Sequence, residues 1–343
     1  MERKLASIKT ITDIRPIEGA DKIELAVVGG WNVVVAKDVG HKVGDTVVYC
    51  EIDSFLPIKE EFEFLRKSSY KKMGEQEGFR LKTIKLRGQV SQGLILPIHV
   101  LPITQFATAH DLPEGMDVTE MLGIVKYEPP IPAELAGKVK GQFPSFLQKT
   151  DEERIQNLTK EYGEWKYQSK HQFYVTEKLD GSSATYYVKD GEFGVCSRNL
   201  ELLETEGNTF WKVAREMDLE NKMKSLGKNI SLQGELIGEG IQGNRYKIKG
   251  QTVRFFNVFD IDNHKRLGIH DLINIVENIM GLKCVPYLLL PFPLLNTVEE
   301  MIKFAEGKSQ LNGDTEREGV VVRSMDGTIS FKAISNKFLL EEK

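Results

Sequence analysis

The sequence predicts an α+β protein of two domains: a small amino-terminal β-barrel, then a larger domain dominated by antiparallel strands. Three observations carry this. At 343 residues the chain exceeds what one hydrophobic core usually serves, about 250–300 residues. The first hundred residues hold short β-branched runs (Ala26–Val28, Asn32–Ala36, Thr46–Cys50) separated by Gly29-Gly30, Gly40 and Gly44, a pattern that suits a small barrel. Beyond residue 143, β runs are interrupted by only a few helical stretches. The boundaries fall at 1–122 for the barrel, 123–143 for a connector carrying Pro129, Pro130, Pro132, Gly137 and Gly141, and 144–343 for the second domain.

In chain order, the phrase Ile17–Glu24 (IEGADKIE) is similar to the opening of OB domains that bind transfer RNA, so an OB-fold is expected for the barrel. Arg66–Arg87 follows with eight Lys/Arg against two acids, Glu75 and Glu77, and with Tyr70 and Phe79 between them. It reads either as a solvated loop and hairpin or as a backbone track for RNA, where each neutralised phosphate releases counterions. A helix start is expected at Lys149–Arg154, with Thr150 or Asp151 as cap. Strands and a glycine turn occupy Phe173–Ser197. Helices are expected over about 210–225 and 298–306, and strands over 254–261, 320–323 and 328–333. The apolar stretch Val285–Leu295 is too short to span a membrane and is broken by Pro286, Pro291 and Pro293; it reads as a buried strand or loop.

Composition excludes several classes. The chain is 41% hydrophobic and 28% charged, as in soluble globular proteins. Cys50, Cys196 and Cys284 are far apart, with no C-x-x-C pair, so neither a zinc site nor a disulfide framework is suggested. A reducing intracellular compartment, cytoplasmic or nuclear, is expected, with no secretion signal. Net charge is −4, against nonspecific nucleic-acid coating but compatible with a local basic track.

The most informative stretch is Val175–Ser183. An apolar run, Phe173–Val175, delivers Lys178 and is followed at once by Asp180-Gly181-Ser182-Ser183, a strand that ends in a cleft and then turns. A lysine with an ordinary pKa near ~10.4 is almost wholly protonated at pH 7; neighbouring cations or a dry pocket lower that value and make the amine a nucleophile. Five further segments follow in order: Cys196–Asn199 (CSRN), Leu232–Gly238 (LQGELIG), Phe255–Ile261 (FFNVFDI), Glu318–Val322 (EGVVV) and Ser330–Lys332 (SFK).

This series resembles the covalent nucleotidyltransferase superfamily of polynucleotide ligases and messenger-RNA capping enzymes. Within it the chain is most similar to the ATP-dependent RNA ligases of the Naegleria and Deinococcus type, the RNA ligase 5 family, which carry an OB domain ahead of the ligase domain. The resemblance covers about residues 143–338 and implies a nucleotidyltransferase (adenylation) domain at 144–343. It implies three steps. Lys178 attacks the α-phosphorus of ATP, AMP passes to an RNA 5′-phosphate, and a 3′-hydroxyl displaces AMP. Such transfers need positioning and charge neutralisation.

The resemblance assigns ATP or AMP contacts to Glu177, Asp180, Gly181, Arg198, Glu235, Phe259, Glu318 and Lys332. Asp180, Glu235 and Glu318 are expected to hold Mg²⁺ or Mn²⁺, through water. Arg198 would reach a phosphate or the ribose, and Lys332 would neutralise the α-phosphate and help keep Lys178 unprotonated. Phe259 is the expected adenine-stacking ring, since alternation places Phe256 on the opposite, core-facing side of its strand. Lys149 and Arg154 are candidates for a pyrophosphate clamp, the alternative being a surface capping turn. One departure stands out: many ligases read K-x-K in the last motif, whereas Lys332 is followed by lysine only at Lys337, which extended geometry would put on the opposite face.

The implied partners are RNA ends, a 3′-hydroxyl and a 5′-phosphate, expected in a duplex, with no membrane and a monomeric chain. The chain ends eleven residues after Lys332, without the carboxy-terminal OB domain of capping enzymes and classical DNA ligases. A DNA ligase, a GTP-dependent capping-type transferase and a noncatalytic RNA-binding protein remain as alternatives; the full set of Lys178, Asp180, Glu235, Glu318 and Lys332 weighs against the last.

Overall fold

Eleven residues, Ala6–Pro16, form the strand around which the amino-terminal unit is built. The first half pairs antiparallel with Thr46–Cys50 and the second with Ile23–Val28, the switch coming at an irregularity between Ile11 and Asp13. An extra residue bends a strand and raises its twist, so one strand serves two neighbours and the sheet curls. The structure, a computed structural model, describes residues 4–102, 112–128, 137–149, 151–167 and 172–341. The prolines of the predicted connector (Pro129, Pro130, Pro132) and Thr150 lie outside the described residues.

The five-stranded sheet runs in the order Leu94–Leu96, Thr46–Cys50, Ala6–Pro16, Ile23–Val28, Trp31–Ala36. Thr46–Cys50 is covered on both faces: Val48 and Cys50 join a cluster with Ile8, Leu56, Phe62 and Phe79, while Val47 and Tyr49 join another with Ile11, Trp31 and Val33. That is why it reads as an unbroken apolar run rather than an alternating one. A four-stranded sheet and the hairpin of Thr83–Leu86 with Gln89–Gln92 complete the unit. Within the basic stretch, Arg66 is paired with Glu63 (2.6 Å), Lys72 with Glu77 (2.8 Å) and Arg80 with Asp53 (3.6 Å), so part of its charge is balanced internally.

The chain divides into two compact units, Met1–Ile131 with Gln156–Thr159 and Leu339–Lys343, and Pro132–Ile155 with Lys160–Phe338. The sequence alone assigns both short segments to the second domain; hydrogen bonding and packing group them with the first. Trp31 Nε1 donates to Asn157 Oδ1 (2.6 Å), the Gly30 amide donates to the Gln156 carbonyl (3.0 Å), and Leu339 packs against the Trp31 cluster.

Two sheets make the second unit. The seven-stranded sheet is antiparallel throughout, in the order Val139–Gln142, Leu200–Leu202, Glu192–Cys196, Ser182–Lys189, Ile230–Gly238, Gln251–Asp260, Lys265–Arg266. The five-stranded sheet runs Glu153–Arg154, Ser330–Ile334, Gly319–Ser324, Phe173–Lys178, Tyr287–Phe292, with only the first pair parallel. The helix expected over 210–225 is two, Thr209–Glu216 and Leu219–Lys224, broken where Asp218 adopts φ 54°. Among the described residues of Lys149–Arg154 no helix starts; Glu153–Arg154 is a short strand instead. The 285–295 stretch forms an edge strand, Tyr287–Phe292, with Leu289 and Leu290 exposed, not a buried one. Among the described residues no helix is long and apolar enough to cross a membrane.

Candidate active site

Pairing register builds the centre of the site. On the lysine strand, Lys178 lies opposite Gly319 and Thr176 opposite Val321, and Val321 in turn lies opposite Lys332. Residues directly opposite share a face and residues two apart along a strand return to it, so Lys178, Thr176 and Lys332 occupy one face. Arg154 pairs with Lys332 from the parallel edge strand. Glu318, just before the paired Gly319, reaches Lys178: its Oε1 is 2.7 Å from Nζ. Gly181 turns the chain so closely against the next sheet that a Cβ there would sit 2.4 Å from the Leu236 carbonyl oxygen and 2.9 Å from Glu235 Cγ. The glycine is therefore required for packing the lysine turn beside Glu235, whatever it contributes to a ligand.

The turn is held from a direction the sequence reading missed. Tyr246 Oη accepts the Asp180 backbone N–H (2.6 Å), and Arg245 Nε lies 3.2 Å from Asp180 Oδ2. Both belong to the loop between Ile230–Gly238 and Gln251–Asp260. The signal was present in Gly238, Gly240 and Gly243, glycines crowded between two strands just before a cation and an aromatic ring.

The charge around Lys178 runs opposite to expectation. Burial lowers its pKa, but Glu318, Glu235 and Asp180 together raise it above the ordinary value. Without a ligand the amine is thus held protonated by its carboxylate neighbours rather than primed. The acids respond in kind. Burial, with Glu318 and Asp180 nearby, pushes Glu235 up to about 8, Lys178 opposing; burial and Glu318 push Asp180 up to about 6, Arg245 and Lys178 opposing. No group of three His, Cys, Asp or Glu among the described residues is arranged to ligate one ion directly. The donor set, three hard carboxylates crowded into one field, fits a divalent ion that keeps its waters, as Mg²⁺ and Mn²⁺ do.

Phe259 is not available for stacking. It is fully buried, packed with Leu147, Tyr187 and Cys196 and edge-on to His264. The cause is a bulge. Gln233 pairs with Asn257 but Gly234 pairs with Phe255, which leaves Phe256 as an extra residue and resets the alternation. Phe255 and Val258 consequently share the main core, and Phe256, expected there, turns away from it. Phe256 is half-buried against the group that includes Leu179, Ile237 and Tyr246, and the Arg323 guanidinium lies 5.4 Å from its ring centroid.

The remaining candidates separate. Glu177 alternates away from Lys178 and is buried, its Oε2 accepting the Gln310 amide (2.8 Å). Arg198 is exposed and clasps Asp151 (2.7 and 2.8 Å), and Lys149 Nζ donates to Asn199 Oδ1 (3.2 Å). Arg154 is buried beside Lys332, a different setting from that of Lys149. Lys337 sits on a helix, Asn336–Glu341, paired with Glu306 (3.2 Å), not on an extended continuation of the Lys332 strand.

Comparison with known proteins finds both domains in one family of solved structures. An OB-fold domain model matches residues 5–98 and an RNA ligase model matches residues 171–337. Among solved structures, a Naegleria gruberi RNA ligase mutant with AMP and Mn is 44% identical over 98% of each chain, TM-score 0.90. A mutant of the same ligase with ATP and Mn and the ligase with PPi are each 44% identical over 98% of each chain, with TM-scores of 0.89. No match is found among curated proteins.

A carboxyl group whose folded pKa exceeds its unfolded value keeps its proton longer when folded, so its ionisation destabilises the fold. For Glu235 that loss develops as pH rises from about 4.5 towards about 8, and Asp180 adds to it over about 3.8 to 6. Lys178, raised from 10.5, retains its contribution throughout this window. The metal-free protein is therefore expected to lose Tm between pH 5 and 8, less steeply in Glu235→Gln. Mg²⁺ should raise Tm more at pH 8 than at pH 6. Calorimetry across pH checks both; equal slopes in wild type and variant would remove the assignment.

Proposed function

The chain belongs to the RNA ligase family, and we propose that it is an ATP-dependent enzyme sealing 3′-hydroxyl and 5′-phosphate RNA ends through lysyl-AMP and AppRNA, at nicks in duplexes whose 3′-hydroxyl strand is RNA. The observation that carries this is the register placing Lys178, Lys332 and Glu318 together at the end of one sheet. A nucleophile, a phosphate-neutralising cation and a proton acceptor then stand within one short span.

In the first step Lys178 Nζ bonds to the α-phosphorus of ATP and the bond to pyrophosphate breaks. The amine must first give up a proton, and Glu318 Oε1, 2.7 Å away, is in reach to take it. Lys332 carries a fixed positive charge on the same face for the α-phosphate, and the buried Arg154 extends that charge towards the leaving group. Asp180, Glu235 and Glu318 are the residues that would hold a hydrated Mg²⁺ or Mn²⁺, whose positive charge favours the neutral amine and offsets phosphate charge. Phe256 offers the ring for adenine, while Phe259 belongs to a separate buried cluster. AMP then passes to the RNA 5′-phosphate, and the attacking 3′-hydroxyl finally expels it.

Incubation with α-labelled ATP or GTP, Mg²⁺ or Mn²⁺ and denaturing electrophoresis should label the protein from ATP alone. Lys178→Ala should lose all label while still sealing a pre-adenylylated strand weakly. Label from GTP would move the answer to capping, and label retained in the variant would displace the nucleophile. Phe256→Ala should raise the KM for ATP in adenylylation with little change in stability. Phe259→Ala should instead cost about 3–5 kcal/mol of stability, as for a buried aromatic, read by denaturant midpoint. Arg154→Ala and Lys149→Ala should impair adenylylation more than sealing of AppRNA; equal losses in both steps would remove the pyrophosphate role.

A further inference from the structure

A cavity of ≈ 740 Å³ lies in the second unit, walled by the Lys265–Arg266 strand, the Met325–Thr328 turn, Ser330 and Gln148. None of these residues belongs to the nucleotide site described above. Ser330 and Lys332 are two residues apart on one strand, so the cavity begins roughly 7 Å beyond the phosphate-neutralising lysine, on the same sheet face.

The cavity wall includes a guanidinium that is not fully partnered. Arg266 Nη1 donates to Ser330 Oγ (2.7 Å), while its Nε is buried without a hydrogen-bond partner. Arg323, opposite Ser330 in the sheet, is 2% exposed; its Nη2 donates to Glu152 Oε1 (2.6 Å), and its Nε and Nη1 are likewise buried without a hydrogen-bond partner. Glu152 thus serves two guanidinium groups, Arg323 directly and Arg266 through its field. Burial holds Arg266 below its ordinary pKa, with Arg323 opposing the help from Glu152. Of the acids at the cavity wall, Asp326 is engaged by its own turn, accepting from Ser324 Oγ, Thr328 Oγ1 and the Thr328 amide, and Asp271 is exposed. A buried cation short of partners beside an open cavity favours an anion there.

The donor types specify which anion. A guanidinium with an unpartnered Nε–H, the Ser330 hydroxyl, whose own proton is free to donate, and an exposed ammonium (Lys265) suit a tetrahedral oxyanion with several acceptor oxygens. We propose that this cavity is a phosphate subsite, filled by a backbone phosphate of the polynucleotide being joined, with Arg266 as principal ligand and Lys265 and Ser330 around it. The proposal rests on the ligase reading: the strand whose end is activated at Lys332 continues into this subsite.

The test uses the full chain as wild type, Arg266→Gln and Lys265→Gln, the latter an exposed position that remains informative should Arg266→Gln destabilise the fold. Binding of a 5′-phosphorylated nicked RNA duplex is measured against salt, alongside protein labelling from α-labelled ATP and inhibition of that labelling by inorganic pyrophosphate. We expect duplex affinity to fall about tenfold in Arg266→Gln, the size of one charge-assisted hydrogen bond. The slope of log K against log salt should shrink by about one in either variant, with ATP labelling and pyrophosphate inhibition unchanged. Loss confined to labelling or pyrophosphate inhibition would give the cavity to the leaving group and overturn the polynucleotide assignment. Unchanged values in both variants would overturn the subsite altogether. Absence of labelling in wild type would instead overturn the ligase reading, and so is distinguishable.

Discussion

The pairing of Phe173–Lys178 with Gly319–Ser324 is the constraint on which the site depends. A strand's side chains alternate, so a slip of one residue would send Lys178 to the face that Glu177 now occupies, away from Lys332. The register is secured by apolar residues with no role in chemistry: Val175, Val320, Val322, Phe331 and Ala333 are all fully buried on the reverse side of the same strands. Gly319 belongs to this scheme, because a Cβ at that position would lie 2.3 Å from the Ala333 carbonyl oxygen. The chemistry of one face is thus enforced by the packing of the other.

Electrostatics divides the unit into two contrasting neighbourhoods. Around Lys178 the acids are in excess, and their charges raise the pKa of Glu235 and Asp180 as well as the lysine's. Around Glu152 the cations are in excess, with Arg323, Arg266 and Lys332 all bearing on one carboxylate. Lys332 belongs to the second neighbourhood by charge and to the first by register. An acid-rich centre suits a divalent ion and a cation-rich one suits phosphate, so a metal ion and the phosphate of a polynucleotide end would find their separate requirements met in adjacent regions.

Most of the candidate residues were legible because chain order carried them: a lysine before Asp-Gly, a glutamate inside a β run, a glutamate before three valines, a lysine closing a strand. Alternation failed at one place, the strand Gln251–Asp260, where the bulge at Phe256 exchanged the expected positions of two phenylalanines. A bulge leaves little trace in a run such as Phe255-Phe256-Asn257-Val258-Phe259, in which nearly every residue is apolar whichever way it points. Arg245 and Tyr246 were missed for another reason: a loop has no period, and its contacts with Asp180 are made 65 residues or more along the chain.

The division into a β-rich amino-terminal part and an antiparallel ligase-like part was legible in the sequence, because strand propensity is a local property of the chain, and motif order brought forward Lys178, Asp180, Glu235 and Glu318 as candidates. Tertiary structure alone decided which aromatic ring is accessible, that the 156–159 and 339–343 segments belong with the first unit, and that Lys178 rests among acids in a protonated state. Each of these depends on burial and on charges brought together from distant segments, and burial and field are properties of the packed molecule that no local stretch of sequence contains.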